Sequence, residues 1–339
     1  MPNSKQYGSA AACALAIGLA VTTPLALAQA NATAQPAATA QAQWTVSQWL
    51  ERLHAASRQR AYMGTFVVSS GSEMSASKIW HVCDGVQQME RIETLTGTPR
   101  TTLRRNDEVR TFVPDQRIVL KERRETLRLF PDLLHAPDQR IERFYSARLV
   151  GSERVAGFDA TVVDFVPNDA LRHAYRIWSE KQTGLMLKMQ TRTGNGRVLE
   201  QVAFTELQLD APVRMDVLAR QMDNTAGYTI VEPVLHRTAP ETLGWRMKAA
   251  VPGFQSMSTY SRTDRSGKLS HQWIFSDGLA SVSLFLETFD PARHTNEKIA
   301  ADGAMHSVSR KIGDFWVTAL GEVPPETLSL FIQSLDRSR

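Results

Sequence analysis

Cysteine is nearly absent, with 2 in 339 residues. Cys13 lies in an apolar N-terminal run, so removal of that run leaves Cys83 alone and excludes an intrachain disulfide. Stability must therefore come from buried cores. Charge of one sign is scarce too: the net +4 is slight for this length and lacks the clustered basic excess of a nucleic-acid binder. Long apolar runs are missing, since no segment approaches the ~18 residues that span a bilayer. No G-x-S-x-G elbow, H-E-x-x-H pair, Walker loop or G-x-G-x-x-G fingerprint occurs, and the eight histidines are scattered. This reads as a chain that is not an enzyme and needs no cofactor. His81 and Cys83 share a strand face, but two ligands do not make a zinc site. A small buried hydrophobe beside a hydrogen-bonded histidine is the simpler reading.

What is present describes a foldable chain, 42% hydrophobic and 22% charged. Lys5 is the only charge in residues 1–30, which hold a small apolar run from Ala10 to Val21 and the small-x-small pairs Ala26-Leu27-Ala28 and Ala28-Gln29-Ala30. That layout predicts a cleaved secretory signal over 1–30. Residues 31–43, rich in Ala, Gln, Thr and Pro, read as a flexible leader. Thr45 and Gln48 predict a capping box, followed by the helical stripe Val46, Trp49, Leu50, Leu53 and Ala56. Short alternating runs follow, punctuated by Asp84-Gly85, Asn106-Asp107 and Pro114-Asp115, and they predict an antiparallel meander. Leu127, Leu129, Phe130, Leu133 and Leu134 predict short helices laid across it. Strands resume from Arg148 to Leu209. So many strands make a strongly curved sheet whose hollow needs filling. From 213 to 240 the periodicity is lost and a linker is expected. Residues 241–337 carry their own strands and a closing helix after Pro324-Pro325. The expected class is α+β, with a large domain over 44–212 and a smaller one over 241–337.

Particular stretches carry a family resemblance: Trp49-Leu50-Glu51-Arg52-Leu53, Tyr62-Met63-Gly64-Thr65-Phe66-Val67 and His81-Val82-Cys83-Asp84-Gly85. Further on come Arg154-Val155-Ala156-Gly157, Tyr175-Arg176-Ile177-Trp178, Pro252-Gly253-Phe254, Ser276-Asp277-Gly278-Leu279 and Gly321-Glu322-Val323-Pro324-Pro325. In their order and spacing these resemble the RseB/MucB proteins, periplasmic negative regulators of the sigma-E envelope-stress response. The resemblance implies a half-barrel like that of periplasmic lipoprotein carriers, with covering helices. It implies a small domain that binds the periplasmic region of an RseA/MucA-type membrane anti-sigma factor and shields it from regulated proteolysis. Lipid, lipopolysaccharide or lipoprotein acyl chains would be the releasing signal. A periplasmic lipid or lipoprotein carrier is the rival reading, and a homo-oligomer stays open. Trp80 stands where relatives usually carry a smaller or more polar residue, which would narrow a lipid cavity.

Three residue sets are candidates for function. Phe66, Trp80, Phe112, Leu120, Trp178, Met186, Met189 and Phe204 are strand residues that form either plain core or a lipid-binding hollow. An acyl chain buried at ~0.8 kcal/mol per CH₂ makes the second reading energetically feasible. Arg104, Arg105, Arg123 and Arg124 are guanidinium donors suited to lipid phosphates, or a solvated strand face with local ion pairs. Trp245, Phe254, Phe285, Arg310 and Lys311 are candidates for a partner-facing patch in the second domain, whose aromatics are otherwise mostly core.

Overall fold

The first helix forms as its cap predicts. Thr45 Oγ1 accepts from the Gln48 N–H at 3.3 Å while the Gln48 side chain accepts from the Thr45 N–H at 2.9 Å, which satisfies two donors at the helix start. The helix, α1 (Val46–Gln59), buries Val46, Trp49, Leu50, Leu53 and Ala56. The computed structural model describes residues 44–123, 130, 139–232, 235–263 and 269–337. The signal segment over 1–30, the leader over 31–43, Arg124 and the helical turns expected around Leu127, Leu129, Leu133 and Leu134 lie outside the described residues.

Eleven strands follow: β1 (Tyr62–Ser70), β2 (Glu73–Cys83), β3 (Gln88–Thr94), β4 (Thr101–Arg105), β5 (Glu108–Val113), β6 (Ile118–Arg123), β7 (Tyr145–Val155), β8 (Phe158–Pro167), β9 (Ala174–Glu180), β10 (Met186–Arg192) and β11 (Val198–Leu209). A short 3-10 helix (Gln139–Arg143) precedes β7. After α2 (Met215–Asp223) and β12 (Thr229–Val231), the first sheet is complete, in the order β12-β6-β5-β4-β3-β2-β1-β11-β10-β9-β8-β7. The chain thus meanders outward from β1, restarts at the far edge with β7, and returns so that β11 closes on β1. All pairings are antiparallel except β12 with β6.

The sheet is strongly curled. β7 and β11 stand four places apart, about 19 Å in a flat sheet at ~4.8 Å per strand, yet they approach within 8 Å at Cα. The result is a half-barrel, and α1 lies in its hollow, against β2, β7 and β10. One core joins α1 to β1, β2 and β7–β11. A second, smaller core forms on the opposite face of β3–β6, where Met89, Leu103, Phe112 and Val119 meet Leu218 and Met222 of α2.

The linker expected over 213–240 therefore carries ordered structure. Its buried apolar residues are Leu218 and Met222, one helical turn apart, and α2 starts without a side-chain cap. Arg105 and Arg110 hold its C-terminal end through Asp223, at 2.8 and 3.3 Å.

The second sheet uses β13 (His236–Arg237), β15 (Gln255–Thr263), β16 (Leu269–Ser276), β17 (Ser281–Thr288), β18 (Lys298–Asp302), β19 (Met305–Ile312) and β20 (Phe315–Gly321), in the order β13-β15-β16-β17-β20-β19-β18. β14 (Trp245–Met247) pairs with β21 (Leu335–Arg337). The closing helix, α3 (Pro325–Ser334), lays Leu328, Phe331 and Ile332 on one face of this sheet, against Val282, Leu284, Leu286, Val317 and Ala319. Among the described residues no helix is long and apolar enough to cross a membrane.

Candidate functional site

The hollow of the half-barrel is filled. Register sets Phe66 opposite Phe204, and Met189 opposite both Val202 and Ile177. On the same face Tyr62 reaches the carbonyl of Ser57 in α1. Phe66, Phe130 and Phe204 form a ring cluster with centroids 4.7–6.3 Å apart. Phe130 is 4% exposed. Met186 is buried in the same core. Leu120 shares this face, in the row Ile79–Ile92–Thr102–Thr111–Leu120, and is half-buried.

The remaining three candidates for lipid contact face the other way, because side chains alternate along a strand. Phe112 packs under α2, edge-on to Tyr228. Trp178 donates its Nε1–H to Glu153 at 2.8 Å, and Lys188 Nζ lies 4.4 Å from its ring centroid. Trp80 lies between Lys78 and Arg91, at 5.2 and 4.7 Å. It pairs with Arg91 on the face opposite Ile79, so it does not narrow the hollow.

The arginine set is divided by the same alternation. Arg104 is 7% exposed, stands opposite Glu90 and donates to the Asn106 carbonyl at 2.7 Å. Arg105, on the other face, is committed to Asp223. Arg123 is exposed at the end of β6, opposite Glu108. Arg104 and Arg105 therefore cannot form one phosphate fork. His81 is 2% exposed, contacts the Arg60 carbonyl through Nδ1 at 2.9 Å and stacks on Tyr62. Burial pushes the Cys83 thiol pKa up, the reverse of an activated nucleophile.

In the second sheet, Trp245 and Phe254 are buried core residues, packed edge-on to Phe315 and Phe331. Arg310 sits opposite Val317, on the α3 side. Phe285 and Lys311 share the other face, where Lys311 Nζ lies 4.0 Å from the Phe289 ring centroid. Of the five, only these two share the side away from α3.

A constellation that composition and periodicity left unmarked lies where the two sheets meet. Arg172, between β8 and β9, donates from Nε to Asp277 at 2.7 Å, and both side chains are fully buried. Its other nitrogens reach Asp169 and the Pro252 carbonyl. Phe144 and Phe254 flank the guanidinium, with ring centroids 4.5 and 4.9 Å away. Leu279 of the β16–β17 turn belongs to the first core, and Leu171 packs against the second, so each lobe inserts one leucine into the other. Nearby, the His173 and His306 rings are 5.6 Å apart. Burial first, then His306, lowers the His173 pKa to about 4. Burial raises the Glu200 carboxyl pKa, assisted by Glu322 and Asp302 across the same junction. Among the described residues no group of three His, Cys, Asp or Glu could hold a metal ion.

These features define a two-lobed architecture, a filled half-barrel docked on a sheet covered on one face. The model of the MucB/RseB N-terminal domain matches residues 45–222, and that of the MucB/RseB C-terminal domain matches 239–336. The chain belongs to the MucB/RseB family. It is 30% identical over 289 residues to the sigma factor AlgU regulatory protein MucB of Pseudomonas aeruginosa, covering 82% of this chain and 86% of that protein. It is 22% identical to the sigma-E factor regulatory protein RseB of Escherichia coli K12, covering 88% and 93%. A crystal structure of MucB in complex with MucA(peri) matches at TM-score 0.67 and 27% identity, over 86% of this chain and 99% of that one. A further MucA/MucB complex from P. aeruginosa matches at 0.68, with the same identity and coverage.

Proposed function

We propose that this protein is a periplasmic regulator that binds the periplasmic region of a membrane anti-sigma factor and protects it from regulated proteolysis, and that lipid or lipopolysaccharide-type signals release it. The single observation that carries the reading is the match to MucB bound to MucA(peri), because it spans both lobes and nearly all of the relative. The predicted export signal supports a periplasmic site. In this reading an extended segment of the anti-sigma factor lies along the small lobe and the cleft between the two lobes.

The lipid signal would enter the hollow at Phe66, Met189 and Phe204, where it must displace Phe130. A filled hollow suits a conditional ligand better than a permanent cargo, which favours the regulator over the carrier. The test is cleavage of the cognate anti-sigma periplasmic domain by the site-1 protease. The purified protein should slow cleavage at least tenfold, and lipopolysaccharide should restore it. Equal cleavage rates with and without the protein would refute the reading.

A further inference from the structure

We propose that Arg172 and Asp277 are positioning residues for partner recognition: their buried ion pair fixes the setting of one lobe against the other, and the partner's affinity depends on that setting. The inference rests on the reading that both lobes hold the anti-sigma segment.

Three observations place the pair in this role. First, every polar group of the pair is engaged. Arg172 uses Nε, Nη1 and Nη2 on Asp277, Asp169 and the Pro252 carbonyl. Asp277 Oδ1 accepts from the Leu279 and Ala280 N–H groups at 2.8 and 2.7 Å. Second, the pair governs both exchanged leucines. Asp277 shapes the turn that presents Leu279 to the first core. Asp169 Oδ1 accepts from the Leu171 N–H at 2.9 Å, and the Leu171 carbonyl accepts from Thr327 of α3 at 2.9 Å. Third, the approach is too close for adjustment. Gly253 sits at φ +83°, where a side chain is strained, and a Cβ there would collide with Arg172 Nη2 and stand 2.9 Å from the Phe144 ring.

Buried charges leave few intermediate states. Separating the lobes slightly would leave a guanidinium and a carboxylate in apolar surroundings without partners, so the junction is either closed or opened far enough to admit water. A surface pair would merely be screened. A ligand that binds the closed setting better would hold it closed, and one that favours the opened setting would release it.

The experiment uses the chain from residue 31 with Cys83→Ser, and spin labels on Val86→Cys and Ile299→Cys, positions that are 88% and 62% exposed. Inter-lobe distances are measured by pulsed electron resonance, and binding of the cognate anti-sigma periplasmic domain by calorimetry. Asp277→Asn should broaden the distance distribution and weaken binding at least tenfold. Gly253→Ala, which removes no charge but crowds Arg172 and strains the turn at φ +83°, should do the same. Arg172→Lys keeps the charge but loses the fork, and should fall between. A narrow, wild-type distribution in Asp277→Asn and Gly253→Ala overturns the proposal, whatever the binding. A broadened distribution with unchanged affinity overturns its second half. If the labelled wild-type chain does not bind the domain at all, the functional reading fails, and the distance measurement still decides whether the pair sets the lobes.

Discussion

His173 is 3% exposed and neutral in the folded state. Its pKa falls from 6.5 to about 4, so the unfolded chain takes up a proton that the native chain refuses. The stability it protects is fully present above 6.5 and drains away as pH drops toward 4, at about 1.4 kcal/mol per pH unit. Glu200 works in the other direction, because its raised pKa means that folding is favoured as the carboxyl protonates. Replacing His173 with Phe should therefore flatten the loss of stability between pH 7 and 5, as read by urea unfolding at the two values. An unchanged slope would mean that His173 is not the titrating group. At this scale the sequence was partly legible. Phe66, Met189 and Phe204 are apolar residues of three strands that pairing brings to one face, despite a register shift at Thr65/Phe66. Arg104 and Arg105 are adjacent on a five-residue strand and so must diverge. Arg172 and Asp277 lie 105 residues apart, and no local pattern links them.

Among the elements, α1 and the main strands follow from their signals. Thr45 and Gln48 mark the helix start, and the turns at Asp84-Gly85 and Asn106-Asp107 separate alternating runs, with Gly85 and Asn106 both at positive φ. The elements that escaped are α2, β12, β13, β14, β18 and β21. Most are strands of three residues or fewer, too short to show a period, and every residue of β18 is exposed. α2 offers two buried apolar residues and no side-chain cap. Its attachment rests on Leu218, 4% exposed, so Leu218→Ala should cost about 2–5 kcal/mol. Hydrogen exchange should show the loss of protection concentrated in α2 and in β3–β5 beneath it, with the second sheet unaffected.

Across the whole molecule, the division into a large curled sheet and a smaller one is visible in the change of periodicity after Leu209. The way they join is not, because Leu171 and Leu279 lie between strand runs, where no periodic signal marks a buried face. Leu279 is 1% exposed and belongs to the core of the first lobe although its turn links strands of the second. Truncating it to Ala should destabilise the half-barrel by about 2–5 kcal/mol. The exchange protection lost should lie in β8 and β9, and loss confined to β16 and β17 would contradict the exchanged-leucine junction.

The backbone leaves the half-barrel through β12, which is held to β6 by three paired residues. A load applied between the lobes is shared by that short ribbon, the ion pair at Arg172 and the two exchanged leucines. With three paired residues at a sheet edge, the ribbon is where a pulled molecule should begin to peel, ahead of its buried aromatic centre.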